Sequence, residues 1–222
     1  MHPAIRRIEW DSAAFGRDCF EIDGLDGAAL QEAVRRPGHY AIKVDALASK
    51  ALLHQHGFYY CDSLIEPFCA QERFTAHHDA RAQFSRDIAL DALLAVCHGA
   101  FSHGRFHRDF HLTPAQADLR YDNWLRQLHA AGHVYGLMFE GQLAGFIAVD
   151  AQRLVLHAVA AEFRGRGIAK YLWTTVCADL YRQGHAELNS SISAANVAAA
   201  NLYATLGFRF RHPVDVYHRW TT

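Results

Sequence analysis

Residues 164–169 have the sequence Arg-Gly-Arg-Gly-Ile-Ala and follow an apolar segment at residues 154–160. A stretch with helical apolar spacing follows them in the sequence and ends near Arg182. In a strand–turn–helix arrangement, the first amides of the helix have no intrahelical partners, and together with the helix dipole they form a site for an anion. Glycines that permit successive outward N–H groups favour a pyrophosphate. An ordinary strand–turn–helix connection without a ligand is the alternative.

A second segment, residues 196–208, strengthens this interpretation. Its pattern is Asn-x-x-Ala-x-x-Leu-Tyr-x-x-x-Gly-Phe. On a helix, Asn196, Ala199 and Tyr203 share one face, because steps of three and four residues return to the same side. The small alanine leaves room for a ligand chain between the two polar side chains. For Tyr203 alone, the alternative is a core position on an amphipathic helix.

The order of elements predicts an α+β fold with a mixed central sheet and flanking helices. In the second part of the chain, Thr113 and Pro114 are typical of a helix start. The Glu-Gly-Gln stretch around Gly141 predicts a hairpin turn. Helices are predicted at 88–100, at 114–130, from the glycine-rich turn to about 182, and at 196–206. Strands are predicted at 133–139, 143–149, 153–160, 186–192, 208–210 and 214–220.

Residues 1–80 have short apolar runs separated by turns. Strands are predicted at 20–22, 40–44 and 57–60, with a helix from Ala46 to His56 that ends at Gly57. This strand–helix–strand unit is too small for a generous core of its own. We therefore expect a small α/β unit at residues 1–80 that packs on a larger domain at residues 81–222 and helps to form the acceptor site.

Composition narrows the classes of function. The chain has 222 residues, 51% of them hydrophobic, and a formal net charge of -1, so no charge excess indicates a nucleic acid or an anionic membrane as partner. No secretion signal and no apolar run of about 18 to 20 residues is present. The five cysteines are scattered, which is typical of reduced thiols. These features predict a cytoplasmic protein.

The sixteen histidines raise the question of a metal site. His103, His107 and His111 recur every four residues, but Gly104 makes a continuous helix doubtful. There is no Cys-x-x-Cys and no His-Glu-x-x-His to supply a recognised zinc geometry. We therefore expect structural or substrate-pocket histidines and no metal.

The two segments resemble the signatures of the GNAT superfamily of acetyltransferases. Residues 164–169 match its Arg/Gln-x-x-Gly-x-Gly/Ala signature, and the segment from Asn196 to Phe208 matches its second element. The resemblance covers residues 133–220 and implies acetyl-CoA as co-substrate, with a GNAT fold. It implies Tyr203 as the acid that protonates the thiolate and Asn196 as a contact of the pantetheine arm. The implied cofactor-binding residues are Ala158, Val159, Ala160, Arg164, Gly165, Arg166, Gly167, Ile168, Ala169 and Asn196.

Residues outside these segments resemble the TDP-fucosamine acetyltransferases. They are the stretch Ile8–Gly16, the stretch Ala100–Asp109 and the aromatic Trp124. In that family a carboxylate acts through water on the acceptor amine, which implies Asp62 here, with Glu66 as second choice. A solvated turn carboxylate is the alternative for Asp62. The implied acceptor-binding residues are Arg105, Phe106, Arg108 and Trp124.

The sequence thus predicts an N-acetyltransferase whose acceptor is the amine of a TDP-linked 4-amino-4,6-dideoxyhexose. One alternative is another small primary amine, such as an amino acid, a polyamine or an antibiotic. The other is a non-catalytic acyl-CoA-binding module on the same fold, which Tyr203 argues against. The sequence leaves the oligomeric state open, with a homodimer as one option.

Overall fold

Eleven strands form one sheet in the computed structural model, which describes residues 1–222. With the helices described below, it confirms the predicted α+β class. In chain order the strands are β1 (Ile5–Arg7), β2 (Cys19–Ile22), β3 (Gly38–Asp45), β4 (Tyr59–Ala70), β5 (Ala82–Ser85), β6 (Val134–Phe139), β7 (Gln142–Asp150), β8 (Arg153–Val159), β9 (Glu187–Ser190), β10 (Ile192–Ser193) and β11 (Arg209–Thr221).

Seven helices and two short 3-10 turns connect these strands. No helix combines the length and the apolar character needed to cross a membrane. In chain order the helices are α1 (Glu9–Phe15), α2 (Gly27–Arg35), α3 (Ala51–Gln55), α4 (Leu90–Cys97), α5 (Pro114–Ala130), α6 (Ala169–Arg182) and α7 (Val197–Thr205).

The strands lie in the order β1-β2-β3-β11-β4-β9-β8-β7-β6-β5, with β10 beside β4. Only the β2–β3 and β8–β9 pairs are parallel. The last strand of the chain, β11, lies between β3 and β4, which both come from the first 80 residues. The two predicted parts therefore share one sheet, and their division at residues 80 and 81 stays a prediction.

Both faces of the sheet are covered around β7. Phe146 and Ala148 belong to the cluster that contains residues of α4 and α5, whereas Ile147 and Val149 belong to the cluster that contains residues of α6 and α7. Successive side chains of a strand point to opposite faces, so burial of all four places helices on both sides. This packing holds β8, the neighbour of β7, in a fixed position.

Helix α5 begins and ends at the predicted residues. The Thr113 hydroxyl accepts a hydrogen bond from the Gln116 N–H at 3.3 Å, and the Gln116 side-chain oxygen accepts one from the Thr113 N–H at 3.0 Å. This capping box satisfies two groups at the start of the helix, and Pro114 needs no acceptor there.

The helix predicted from Ala46 to His56 is wrong in its start, because α3 begins only at Ala51. The Asp45 carboxylate accepts from the Leu47 N–H at 2.8 Å, and the Asp45 carbonyl accepts from the Ala48 N–H at 3.0 Å. These bonds form a turn that occupies groups a helix would need. Gly57 ends α3 with φ of +71° as predicted.

Three further features differ from the sequence prediction or extend it. Helices α1 and α2 were not predicted, although Asp26 caps α2 by accepting from the N–H groups of Ala28 and Ala29. The two predicted C-terminal strands are one strand, β11, with a bulge where His212 takes φ of +50°. All five cysteines are buried and unpaired.

Candidate active site

The loop between β8 and α6 presents a row of free amides. The backbone N–H groups of residues 165–170, six in succession, have no hydrogen-bond acceptor. Gly165 and Gly167 take φ of +72° and +71°, a conformation that side chains rarely adopt. A Cβ at either glycine would meet no atom within 4 Å, so the space in front of the loop is open. The loop can therefore bind an anion through its backbone.

Strands β8 and β9 separate beside this loop. They pair only at Arg153–Asn189 and Leu154–Ser190. Beyond these pairs the two strands diverge, and β10, which follows β9 in the chain, pairs with β4. From Val155 onward, β8 has no partner on that edge. The resulting gap can hold an extended ligand chain that pairs with the free edge of β8.

One amide on this edge is directed into the gap. The Ala160 N–H donates to the Ala144 carbonyl at 2.9 Å, so Ala160 and Ala144 form a hydrogen-bonded pair of the antiparallel ladder. Its neighbour, Val159 opposite Gly145, is then a non-hydrogen-bonded pair, and the Val159 N–H points away from β7. The Val159 carbonyl accepts from Arg164 Nε at 2.8 Å. Val159 thus offers one free donor to a ligand in the gap.

Asn196 lies at the N-cap of α7 rather than within the helix. Its side-chain oxygen accepts from the Ala199 N–H at 3.1 Å, which stabilises the first turn. The side-chain NH₂ group remains available as a donor. Its predicted contact with the ligand chain stays a prediction.

Tyr203 is fully buried, and its hydroxyl lies 2.9 Å from Nε2 of His157 on β8. Burial raises the pKa of the phenol above its ordinary value, and Ser190 and Trp173 beside it oppose the rise. Burial also lowers the pKa of His157 to about 4, so its imidazole is neutral at pH 7. The phenol therefore keeps its proton at neutral pH, as a general acid requires.

Asp62 is 1% exposed and lies on β4, beside β10. Its Oδ1 accepts from Ser193 Oγ at 2.8 Å, from Arg108 Nη1 at 2.9 Å and from the Ser63 N–H at 2.9 Å. Its Oδ2 is buried without any partner. Burial raises the pKa of this carboxyl group, against the effect of Ser193 and Arg108. A carboxylate with one free oxygen and a raised pKa can take a proton.

The other predicted acceptor residues lie on the segment between α4 and α5 or on α5. Arg105 is half-buried, and its Nε has no partner. The Phe106 ring is only 2% exposed and lies 5.4 Å from the ring of Phe15. Trp124 is half-buried, with the guanidinium of Arg120 4.7 Å from its ring centroid. Their roles toward an acceptor stay predictions.

Asp109 anchors that segment to the sheet. Its buried carboxylate accepts from His218 Nδ1 at 2.7 Å, from His39 Nε2 at 3.0 Å and from the Tyr59 hydroxyl at 3.0 Å. The His111 N–H donates a fourth bond at 2.9 Å. These distances are those of hydrogen bonds, and four donors hold the pKa of Asp109 below its usual range against burial. The network positions Arg108 beside Asp62.

Comparison with known proteins identifies the larger part of this arrangement. The family model described as "Acetyltransferase (GNAT) domain" matches residues 113–218. The match covers just under half of the chain. The match supports the predicted acetyltransferase class, and the free amides, the gap and Tyr203 all lie within the matched residues. The GNAT family uses acetyl-CoA, and the open, donor-rich loop at 165–170 fits its pyrophosphate.

Among characterised proteins, the chain is similar to the spore coat polysaccharide biosynthesis protein SpsD of Bacillus subtilis. The two are 25% identical over 136 residues, which cover 59% of this chain and 47% of SpsD. The chain thus spans about half the length of this relative.

Solved structures share the fold. The GCN5-related N-acetyltransferase of Sphaerobacter thermophilus aligns with a TM-score of 0.61 and 17% identity, over 86% of this chain and 64% of that chain. A glucosamine N-acetyltransferase region of a fungal multi-domain GH3 β-N-acetylglucosaminidase aligns with a TM-score of 0.62 and 12% identity, over 97% of this chain and 30% of that chain. These likenesses confirm the predicted GNAT fold.

Sequence reasoning missed two residues of the site. His157 lies in the middle of β8, where a histidine in an otherwise apolar strand was a usable signal. Ser193 gave no signal in the sequence, because its hydrogen bond to Asp62 joins residues that are 131 positions apart.

Proposed function

We propose that this chain transfers the acetyl group of acetyl-CoA to the primary amine of a nucleotide-linked amino sugar of the TDP-4-amino-4,6-dideoxyhexose type. The observation that carries the proposal is the position of Asp62. Its unpartnered Oδ2 belongs to a carboxylate held by Ser193 of β10, the segment that leads from the gap between β8 and β9 to α7. The acceptor base and the acetyl-CoA site are thus joined by one short segment.

Acetyl-CoA would bind through the two features of the GNAT domain that face open space. The amides of residues 165–170 would hold the pyrophosphate, and the free edge of β8 would pair with the pantetheine arm. The Val159 N–H would donate to the thioester oxygen and stabilise the negative charge that develops there.

Transfer then requires one base and one acid. Asp62 would remove a proton from the acceptor ammonium, directly or through water, and the free amine would attack the thioester carbon. The nitrogen would lose its second proton to solvent as the amide forms. When the C–S bond breaks, Tyr203 would protonate the departing sulfur. Direct transfer in a ternary complex needs no acetylated residue of the enzyme.

The acceptor class follows from the charges around Asp62. Arg105 has an unpartnered Nε and acts electrostatically on Asp62, and Arg108 lies beside that carboxylate. Two guanidinium groups near the base suit a substrate that carries a diphosphate along with its amine. SpsD, named for spore coat polysaccharide biosynthesis, supports a sugar as acceptor.

An acetyl-transfer assay with a panel of amines tests the proposal. Thiol release from acetyl-CoA is followed with TDP-4-amino-4,6-dideoxygalactose, the free amino sugar, spermidine and several amino acids. We expect the highest kcat/KM with the TDP-linked sugar and a lower value for the free sugar, which lacks the diphosphate. Preference for a polyamine or an amino acid would exclude the sugar nucleotide but keep the acetyltransferase. Binding of acetyl-CoA without turnover of any amine would favour the non-catalytic module.

A further inference from the structure

We propose that His157 is a positioning residue that orients the Tyr203 hydroxyl toward the thioester sulfur and stabilises the phenolate left after proton transfer. The inference deepens the proposed function, because it rests on Tyr203 as the acid. It concerns a residue that belongs neither to the amide loop nor to the acceptor site.

His157 is a close hydrogen-bond partner of the Tyr203 hydroxyl. Its Nε2 lies 2.9 Å from that oxygen, the phenol is fully buried, and the polar side chains of Ser190 and Trp173 lie beside it. The ring of His157 is itself held edge-on by Trp173, with centroids 5.3 Å apart and an interplanar angle of 78°. A hydroxyl inside a packed core rotates to suit its hydrogen-bond partners, so the imidazole at 2.9 Å influences where its proton points.

The tautomer of His157 determines which group donates in its hydrogen bond with Tyr203. A neutral imidazole carries one N–H, and burial keeps His157 neutral by lowering its pKa to about 4. With the proton on Nε2, the imidazole donates to the phenol oxygen and leaves the O–H hydrogen free to point at the sulfur. With the proton on Nδ1, Nε2 would draw that hydrogen away. The proposed role therefore requires the Nε2–H tautomer.

Proton transfer to the thiolate would leave a negative charge on the Tyr203 oxygen. When the C–S bond breaks, the electron pair stays on sulfur, the Tyr203 O–H bond breaks and an S–H bond forms. The negative charge then lies on a fully buried phenolate, whose formation burial opposes. The Nε2–H of His157 donates a charge-assisted hydrogen bond to that oxygen, which is stronger than a neutral one. The acceptor nitrogen loses two protons between ammonium and amide; one makes up for the proton that the phenol gives to sulfur, so that the phenol is restored, and the other is released to solvent.

His157 also lies near the residue that would bind the thioester oxygen. It lies on β8 two residues before Val159, whose N–H is directed into the gap. A shift of β8 that moved the Val159 N–H, the proposed donor to the thioester oxygen, would also move His157, the hydrogen-bond partner of Tyr203. The side chain of His157 therefore couples the position of the acid to the strand that would bind the thioester.

A double-mutant cycle tests the assignment, with the acceptor that the amine panel identifies. We expect His157→Leu to lower kcat about 10-fold while KM for acetyl-CoA stays within twofold, since the loss falls on the transition state. In the Tyr203→Phe background the same change should lower kcat no further, because the group it acts on is absent. His157→Gln, whose amide Nε2 can donate from a similar distance, should restore most of the activity.

Each contrary result has a separate meaning. An equal loss from His157→Leu in both backgrounds, or no rescue by His157→Gln in a folded protein, would overturn the role of His157 and leave Tyr203 as the acid. Wild-type turnover by Tyr203→Phe would overturn both the role of His157 and the assignment of Tyr203 as the acid. The tautomer has its own test in nitrogen-15 NMR of the labelled protein at neutral pH, where a proton on Nδ1 of His157 would contradict the assignment without any activity measurement.

Discussion

Arg108 donates a hydrogen bond from Nη1 to Oδ1 of Asp62 at 2.9 Å, while Oδ2 of the same carboxylate is buried without a partner. One oxygen is thus engaged in holding the side chain, and the other is left for a substrate. This division distinguishes Asp62 from Glu66, the second choice from sequence. Glu66 accepts from Arg211 Nε at 2.7 Å, and its pKa is held below the usual value against the effect of burial.

Asp62→Asn should lower kcat by about 10²-fold near neutral pH, because the amide cannot take the proton of the acceptor ammonium. The deficit should shrink as the pH rises toward the pKa of that ammonium, since the free amine needs no base. Steady-state rates across a pH series measure this, with Glu66→Gln as the matched control that retains wild-type rates. Equal losses in the two variants would contradict the assignment of Asp62.

Gly167→Asp should weaken acetyl-CoA binding by about 100-fold or more. The new carboxylate lies among the free amides, repels a pyrophosphate and strains a residue at φ of +71°. Loss of two charge-assisted bonds of about 1.5 kcal/mol each accounts for that factor. Gly99→Asp is the control, because Gly99 has φ of +72° and open space but lies outside the loop. Isothermal titration calorimetry on both folded variants measures their affinity for acetyl-CoA. Unchanged affinity of Gly167→Asp would show that the loop is not part of the acetyl-CoA site.

Tyr203→Phe should reduce turnover by about 10²-fold while acetyl-CoA affinity is nearly kept, because only the acidic hydroxyl is lost. Tyr181→Phe is the matched control, since Tyr181 is also buried and donates its hydroxyl hydrogen to the Cys69 carbonyl at 2.9 Å. It should lose stability but not turnover. A Tyr203→Phe enzyme with normal kcat would show that water protonates the thiolate.

The local features of the fold could be predicted from sequence, whereas features set by side-chain bonds could not. The capping box of Thr113 and Gln116 and the positive φ of Gly165 and Gly167 depend on neighbouring residues, so pattern alone locates them. The late start of α3 depends on which backbone amide the Asp45 carboxylate accepts from. Helical spacing does not reveal that competition.

The candidate site also has a part that local sequence predicts and a part that depends on contacts between distant residues. The amide loop is one continuous segment, and the predicted range 164–169 shares five residues with the free amides at 165–170. The Arg164 amide is not free, because it donates to the Ala161 carbonyl at 3.2 Å. The contact of His157 with Tyr203 joins residues 46 positions apart, and the contact of Asp62 with Ser193 joins residues 131 apart. Both depend on where β8 and β9 separate and on how β10 returns to β4. Tertiary arrangement of this kind leaves no periodic trace in sequence.

Arg105→Ala should raise KM for the TDP-linked sugar about 10-fold and leave acetyl-CoA affinity unchanged, because the guanidinium would pair with the diphosphate. Arg108→Ala should instead change kcat, since Arg108 holds Asp62. Initial rates with each substrate varied separate the two effects. A rise in KM for acetyl-CoA in Arg105→Ala would assign this arginine to the other substrate.

Stability should fall in mild acid because two histidines, the buried His218 and the half-buried His157, are held in the neutral form. Burial lowers the pKa of His157 to about 4 and that of His218 to about 3, the latter against the attraction of Asp109. The unfolded chain has ordinary histidine pKa values of about 6.5, so it binds protons that the folded state does not. The free energy of unfolding should therefore be highest above about pH 6.5 and fall by about 1.4 kcal/mol per pH unit for each histidine as the pH drops toward 4. Urea unfolding across this range measures the slope, which His157→Gln should reduce by one histidine's share, and an unchanged slope in that variant would contradict the neutral state of His157.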